Sequence, residues 1–181
     1  VRSGRYLLVT QVENGGLMLA LNPDRPAARL LWEGVNLSRT DRPPQGATLS
    51  TPVVAGDTIY GLSSYGEFRG VDAVTGARLW STDRLTPHER WANSYLVRNG
   101  DRWFVINESG ELVITRFSSA GYEEIDRTLL LKPTTRTRGG ASGRWDDRSV
   151  LWAHPAFANR HVVARNDVEV VRLSLAADDY Q

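Results

Sequence analysis

The sequence predicts an all-β fold made of a repeated four-stranded antiparallel unit, and three observations carry that reading. No window of the 181 residues holds apolar residues at sustained helical spacing. Short runs of β-branched and aromatic residues recur instead, each closed by Gly, Asn, Asp or Pro. Residues 70–80, GVDAVTGARLW, show the unit's corner: an apolar strand runs into Asp72, Thr75-Gly76 gives a tight turn with a residue able to take positive φ, and a new strand delivers Trp80.

In chain order, residues 5–12 form an apolar run closed by Glu13-Asn14-Gly15-Gly16, a hairpin signal. Residues 17–21 return, 22–26 turn, and 29–32 bring Trp32, a degraded copy of the corner. This first unit, 5–32, offers three strands and lacks an opening one. Residues 33–46, with Pro43-Pro44, read as a connector. The second unit, 47–81, holds four strands and the clear corner. The third, 92–127, repeats the plan but has Gly121-Tyr122 where a Trp corner is expected. Gly56-Asp57 and Gly100-Asp101 hold equivalent places about 44 residues apart, which matches one unit of a repeat array. A long polar loop at 132–149 follows, expected to be the most mobile internal segment. The fourth unit, 153–175, has three strands and lacks its closing one, and 176–181 reads as a tail.

The corner resembles the tryptophan-docking repeat of quinoprotein-like, pyrroloquinoline-quinone-type β-propellers, Ala-x-Asp-x-x-Thr-Gly-x-x-x-Trp, with Gly70 in place of the first Ala. The resemblance implies a β-propeller of four-stranded antiparallel blades, of which about four blades or blade parts are present. It also implies that Trp32 and Trp80, with Asp72, Thr75 and Gly76, are structural docking residues, the indoles buried between blades. Central strands such as Trp103-Phe104-Val105-Ile106 are apolar on both faces and need neighbours on each side. The expected whole is therefore one propeller segment, residues 1–181, belonging to a longer chain; a self-associating half-ring is the second expectation.

Composition narrows function less than it narrows fold. With 22 basic and 21 acidic residues the formal net charge is +1, so no global field favours nucleic acid or an anionic membrane. Cysteine is absent, which excludes disulfides, thiolate nucleophiles and Cys-bound metal and leaves the compartment open. No stretch reaches the roughly 18 apolar residues of a membrane span, and residues 1–5 have no signal-peptide core.

Candidate sites are sparse. Tyr65, Trp91 and Trp145 sit in or beside turns and are candidates for ligand or partner contact. Residues 136–144, RTRGGASGR, join backbone freedom to the charges of Arg136, Arg138 and Arg144, the ingredients of an anion cradle, but lack a P-loop ending and a following helix. His88, His154 and His161 do not converge as metal ligands should, and Glu123-Glu124 and Asp146-Asp147 diverge on extended backbone. No nucleophile elbow is present.

The reading that follows is a non-catalytic binding or scaffold module, with no cofactor and with a protein partner or further blades as its counterpart. Related repeats occur in the lipoprotein scaffold of the outer-membrane β-barrel assembly machine, and the resemblance implies a bacterial, periplasmic or secreted setting. An alternative is part of a dehydrogenase dependent on pyrroloquinoline quinone and calcium, its active site mostly outside this segment. A second alternative is a carbohydrate- or peptide-binding propeller using Tyr65, Trp91 and Trp145.

Overall fold

Alternating side chains on each strand decide how the sheets stack in the computed structural model of the chain, which describes residues 1–11, 15–34, 50–63, 65–89, 91–137 and 148–176. The strands are β1 (Arg2–Ser3), β2 (Tyr6–Gln11), β3 (Gly15–Leu21), β4 (Ala28–Glu33), β5 (Val53–Ala55), β6 (Thr58–Leu62), β7 (Phe68–Asp72) and β8 (Arg78–Thr82). They continue with β9 (Ser94–Asn99), β10 (Arg102–Asn107), β11 (Glu111–Ser118), β12 (Gly121–Leu129), β13 (Thr135–Arg136), β14 (Ser149–Val150), β15 (Ala156–Ala158), β16 (His161–Arg165) and β17 (Val170–Ser174). They pair in sequence order into the antiparallel sheets β1–β4, β5–β8, β9–β12 and β15–β17, with β13 and β14 as a separate two-stranded ladder. Among the described residues there is no helix.

Three cores fill the spaces between successive sheets. Ile59 and Val71 point to one side and pack with Tyr6, Leu8 and Met18 of the first sheet, while Tyr60 and Phe68 point to the other and pack with Trp103, Val105 and Val113 of the third. On the far side of the third sheet Ile106 and Leu112 meet Val162 and Ala164. The run Trp103-Phe104-Val105-Ile106 is thus shared between two cores, residue by residue, as the period of two requires.

The outer strand pairs carry a repeated irregularity. In each complete sheet the pairing skips one residue, at Leu31, Leu79 and Ile125, and the residue after the skip is Trp32, Trp80 or Asp126. A β-bulge re-aims the following side chain. Trp32 uses this to donate its indole N–H to the carbonyl of Ala73 in the second sheet (2.9 Å), and Trp80 donates to the carbonyl of Ser118 in the third (2.9 Å). Ala73 lies in the turn between the third and fourth strands of its sheet, and Ser118 is the last residue of the third strand before the matching turn. Gly76, at φ 76°, belongs to the turn that carries Ala73, and a Cβ there would lie 2.8 Å from the Trp32 ring. Trp80 sits within a cluster of rings, 6.1 Å from Phe117 and 6.4 Å from Tyr122 by centroid. Its own ring is half-buried, because it stands on the outermost strand with one side toward solvent. In the third sheet the docking position itself is held by the exposed Asp126, downstream of the Gly121-Tyr122 pair that the sequence marks.

One further expectation is revised. The first sheet does have an opening strand, β1, whose Arg2 and Ser3 pair with Leu7 and Tyr6; a two-residue strand of polar residues has no periodicity to read. The 132–149 segment is tied at both stems: β13 pairs with β14, Thr137 N–H bonds the Arg148 carbonyl, and Thr135 Oγ1 donates to Asp167. The fourth sheet ends at β17, and among the described residues no strand pairs with its outer edge.

The corner turn makes its own electrostatics. Asp72 Oδ1 accepts from the backbone N–H groups of Thr75 (2.8 Å) and Val74 (2.9 Å) and from Thr75 Oγ1 (3.0 Å). The Thr75 N–H is the largest cause holding the Asp72 carboxyl below its ordinary value. In the first sheet Asn22 makes the same turn without a charge, accepting from Asp24 and Arg25 N–H. Because the folded value is depressed, the stabilisation by Asp72 is present above the unfolded value, about 3.9, and is lost as pH falls through the folded one. Asp72→Asn, which keeps the acceptor, is expected to show a smaller drop in urea midpoint than the parent between neutral pH and pH near 3.

Candidate functional site

Antiparallel order sorts the loops of each sheet to two ends. Turns between first and second strands, and between third and fourth, lie at one end with the Trp docking contacts. Turns between second and third strands lie at the other, together with the connectors from sheet to sheet. Tyr65, Trp91 and Arg136 all belong to this connector end, on a β6–β7 turn, the β8–β9 connector and β13. Tyr65 and Trp91 are half-buried and Arg136 is exposed. Trp91 takes φ 62°, an uncommon conformation for a bulky residue. Trp145, Arg138 and Arg144 lie outside the described residues, and with them most of the 136–144 cradle.

The dense chemistry of the connector end lies on residues that the sequence reading passed over. Ser50 Oγ donates to Asn93 Oδ1 (2.7 Å) and accepts from Ser94 N–H (2.9 Å). Asn93 Nδ2 donates to Tyr95 OH (3.0 Å), and the phenol donates to the Trp152 carbonyl (2.5 Å). The Trp152 indole N–H then donates to Glu108 Oε2 (3.1 Å), which also accepts from the Asn93 backbone N–H (3.2 Å), so the chain of bonds closes into a ring. Arg148 grips the same carboxylate, Nε to Oε1 at 2.9 Å and Nη2 to Oε2 at 3.3 Å.

This ring draws on the second and third sheets and the long connector that carries β14. Ser50 precedes β5, Asn93 and Tyr95 flank the start of β9, Glu108 sits in the β10–β11 turn, and Arg148 and Trp152 flank β14. Glu108 is only 2% exposed. A charge so placed is tolerated because a guanidinium fork and two N–H donors replace water. Burial pushes the Tyr95 phenol above its ordinary value, against a smaller opposing effect of the Asn93 bond, so it stays a neutral donor at physiological pH. Ser94 Oγ, buried beside the ring, has no hydrogen-bond partner among the described residues.

The turn carrying Glu108 is also covered from above. Asn107 Oδ1 accepts from Ser109 and Glu111 N–H, and its amide donates to the Leu85 carbonyl (3.0 Å). Gly110, at φ 81°, admits the Leu131 backbone so closely that a Cβ there would overlap the carbonyl oxygen. Asn166 repeats the arrangement in the fourth sheet, accepting from Val168 and Glu169 N–H and donating to the Lys132 carbonyl (2.9 Å).

Chemically, the ring is committed to holding backbone. A calcium and quinone pair needs carboxylates free to bind metal, whereas Glu108 has both oxygens engaged, so this ring does not fit that pair. Among the described residues no group of three His, Cys, Asp or Glu could hold a metal ion. The His154 ring lies 4.4 Å from that of Tyr95, tilted by 53°, and bonds the Pro155 carbonyl, His161 bonds the Asn159 carbonyl and Arg172, and His88 is exposed on its loop. Glu123 turns to Arg116 and Glu124 to Arg127, so the adjacent pair does not share a site.

Stacked four-stranded sheets, cores between neighbours and indole docking from sheet to sheet define a segment of a β-propeller. Solved structures agree. The chain is similar to BamB from Moraxella catarrhalis, at 16% identity and TM-score 0.56, over 95% of this chain and 40% of that one. It is similar to the Cps50 (Swd1) β-propeller domain of Myceliophteria thermophila, at 11% identity and TM-score 0.57, over 95% and 52%. A quinohemoprotein alcohol dehydrogenase from Pseudomonas putida aligns at 16% identity and TM-score 0.50, over 91% of this chain and 27% of that one. The chain thus spans about half, or less, of the proteins it matches, and at these identities the likeness is one of fold. No family model and no curated protein matches the sequence.

Breaking the Glu108 ion pair from one side leaves a buried, uncompensated carboxylate. Arg148→Met is expected to destabilise the protein by roughly 3–5 kcal/mol in urea melts at neutral pH. Adding Glu108→Gln to Arg148→Met is expected to restore a large part of the loss, since the amide carries no charge; an additive double variant would contradict the assignment.

Proposed function

We propose that this chain is a non-catalytic binding or scaffold module whose counterpart is a protein, or further blades, placed against its open sheet edge. The observation that carries the reading is β17. It is the third strand of its sheet, yet it is exposed like the fourth strands of the others: Val170 is 68% exposed and Val168, in the preceding turn, 80%. The third strand β7 is buried almost throughout, and β3 and β11 each bury three residues, whereas β17 buries none. An apolar strand whose outer edge no described strand pairs offers main-chain hydrogen bonds and side-chain pockets to an added strand.

The polar ring supports the same reading, because Glu108, Arg148 and Tyr95 hold connectors in place and leave surface as the thing offered. The likeness to BamB and Swd1 supports the propeller scaffold on which this reading rests, and no helix among the described residues is long and apolar enough to cross a membrane. As part of the proposal the setting is bacterial and periplasmic or secreted, on the resemblance of the docking repeat. Tyr65, Trp91 and Arg136, all at the connector end, are the proposed secondary contacts, and the stretch 1–181 is taken as one piece of a longer propeller.

Two measurements separate this from the dehydrogenase alternative. Titration with pyrroloquinoline quinone and calcium, followed by absorbance, is expected to give no saturable change; a saturating change would favour the enzyme. Light scattering is expected to show concentration-dependent association that Val168→Lys with Val170→Lys abolishes. Association unchanged by the two lysines would remove β17 as the binding edge.

A further inference from the structure

The face of the first sheet turned away from the second is apolar. An antiparallel sheet that meets water on one side alternates apolar and polar residues along each strand. In β3 that alternation fails: Met18 packs in the core with Leu8 and Val71, yet Leu17, Leu19 and Leu21, which point the other way, are leucines too. The ladder sets Leu17 opposite Val9 and Leu19 between Leu7 and Leu30, so one apolar stripe crosses β2, β3 and β4. Val9 is 47% exposed and Leu30 50%. Contiguous apolar surface of this kind marks a place of contact.

The two ends of this stripe carry opposite charges. At the end that holds the Trp docking contacts, Arg2 stands opposite Leu7, and Arg2 and Arg25 line a pocket of about 390 Å³ together with Leu21, Pro26 and Ala28. Asp24, in the same turn as Arg25, does not line it. At the connector end Glu33 stands opposite Leu17 and is exposed. Among the described residues none of Arg2, Arg25 and Glu33 is ion-paired.

Another sheet stacked in the manner of the inner ones does not suit this face. Asn22 N–H bonds the Ala27 carbonyl (2.9 Å) as Asp72 N–H bonds that of Ala77 (2.8 Å), so the two corner turns align residue by residue and Pro26 matches Gly76. Gly76 lies against the Trp32 ring at φ 76°. Proline is held near φ of about −65° and cannot take that conformation. The turn of the first sheet therefore cannot receive an indole as the turn of the second does.

We propose that this face docks a second copy of the chain, the two first sheets packing face to face about a two-fold axis that runs across the strands. Such an axis lays β4 over β4 with the ends reversed, so Glu33 of each copy enters the pocket between Arg2 and Arg25 of the other while the leucine stripes interdigitate. A surface that is cationic at one end, anionic at the other and apolar between is self-complementary, which a two-fold interface requires. The pairing does not rest on β17 as the binding edge: association through β17 adds to a unit that is already a dimer.

Light scattering on the full chain carrying Val168→Lys with Val170→Lys, in which the β17 edge is blocked, reads this interface alone. Expected is a mass of twice one chain, constant across the concentration range. Adding Val9→Glu with Leu30→Glu is expected to give a monomer, and an amide NMR spectrum unchanged in β6 and β10 checks that it is folded. Arg25→Glu alone and Glu33→Arg alone, each of which sets like charges together, are expected to weaken the dimer about a hundredfold. An equimolar mixture of the two is expected to regain most of the loss, because position 33 of each copy then meets an opposite charge at position 25 of the other. A monomer before any change to this face would overturn the proposal and leave the face to a different protein. A dimer indifferent to Val9→Glu with Leu30→Glu, growth past two copies, or a mixture that associates no more tightly than its parts would overturn it as well.

Discussion

Each sheet of this protein depends on the next one, and the indole N–H of Trp32 and of Trp80 is where that dependence is made specific. A four-stranded sheet with apolar side chains on both faces has no stable existence alone in water. Burial supplies the drive for stacking, but burial is non-directional and would accept several relative positions. A hydrogen bond from a bulge-aimed indole to one carbonyl in the neighbour's turn fixes the register between sheets. The turn must then be rigid, and Asp72 makes it so by bonding two backbone N–H groups. Asn22 does the same in the first sheet.

The opposite end uses polar chemistry for a similar task. Connectors there are long, and the backbone groups of the β10–β11 turn would be left unsatisfied if nothing covered them. Leu151 N–H bonds the Glu108 carbonyl, Glu108 N–H bonds the Asn93 carbonyl, and the carboxylate collects Arg148, Trp152 and Asn93. One end is thus tied by rings and carbonyls, the other by a buried charge and its partners. Such a network stabilises only while complete, so its members stand or fall together.

Much of the architecture was legible because it is written in local signals. Strand runs, Asn-Gly and Gly-Asp turns and the Asp-to-Trp corner each lie within a dozen residues, and the alternation in β10 announces two buried faces. The polar ring was not legible. Glu108 reads as a solvated turn residue, and only the return of the chain some forty positions later, with Arg148 and Trp152, buries it. A signal was available in part: Asn107 and Asn166 occupy matching turn positions, each reaching back to a preceding connector. The docking position of the third sheet was also misplaced, since a bulge shifts the register by one and Asp126 has no aromatic ring to reveal it.

Hydrogen exchange of the tryptophan side chains tests the central claim most directly. Indole Nε1–H exchange, followed by NMR under native conditions, reports the free energy needed to open each docking bond. The account expects the Trp32 and Trp80 indole protons to be protected nearly as well as the slowest backbone amides of β6 and β10, because undocking requires separating whole sheets. Rapid exchange of either indole while those amides stay protected would contradict it, and would mean that the sheets are held together by burial alone.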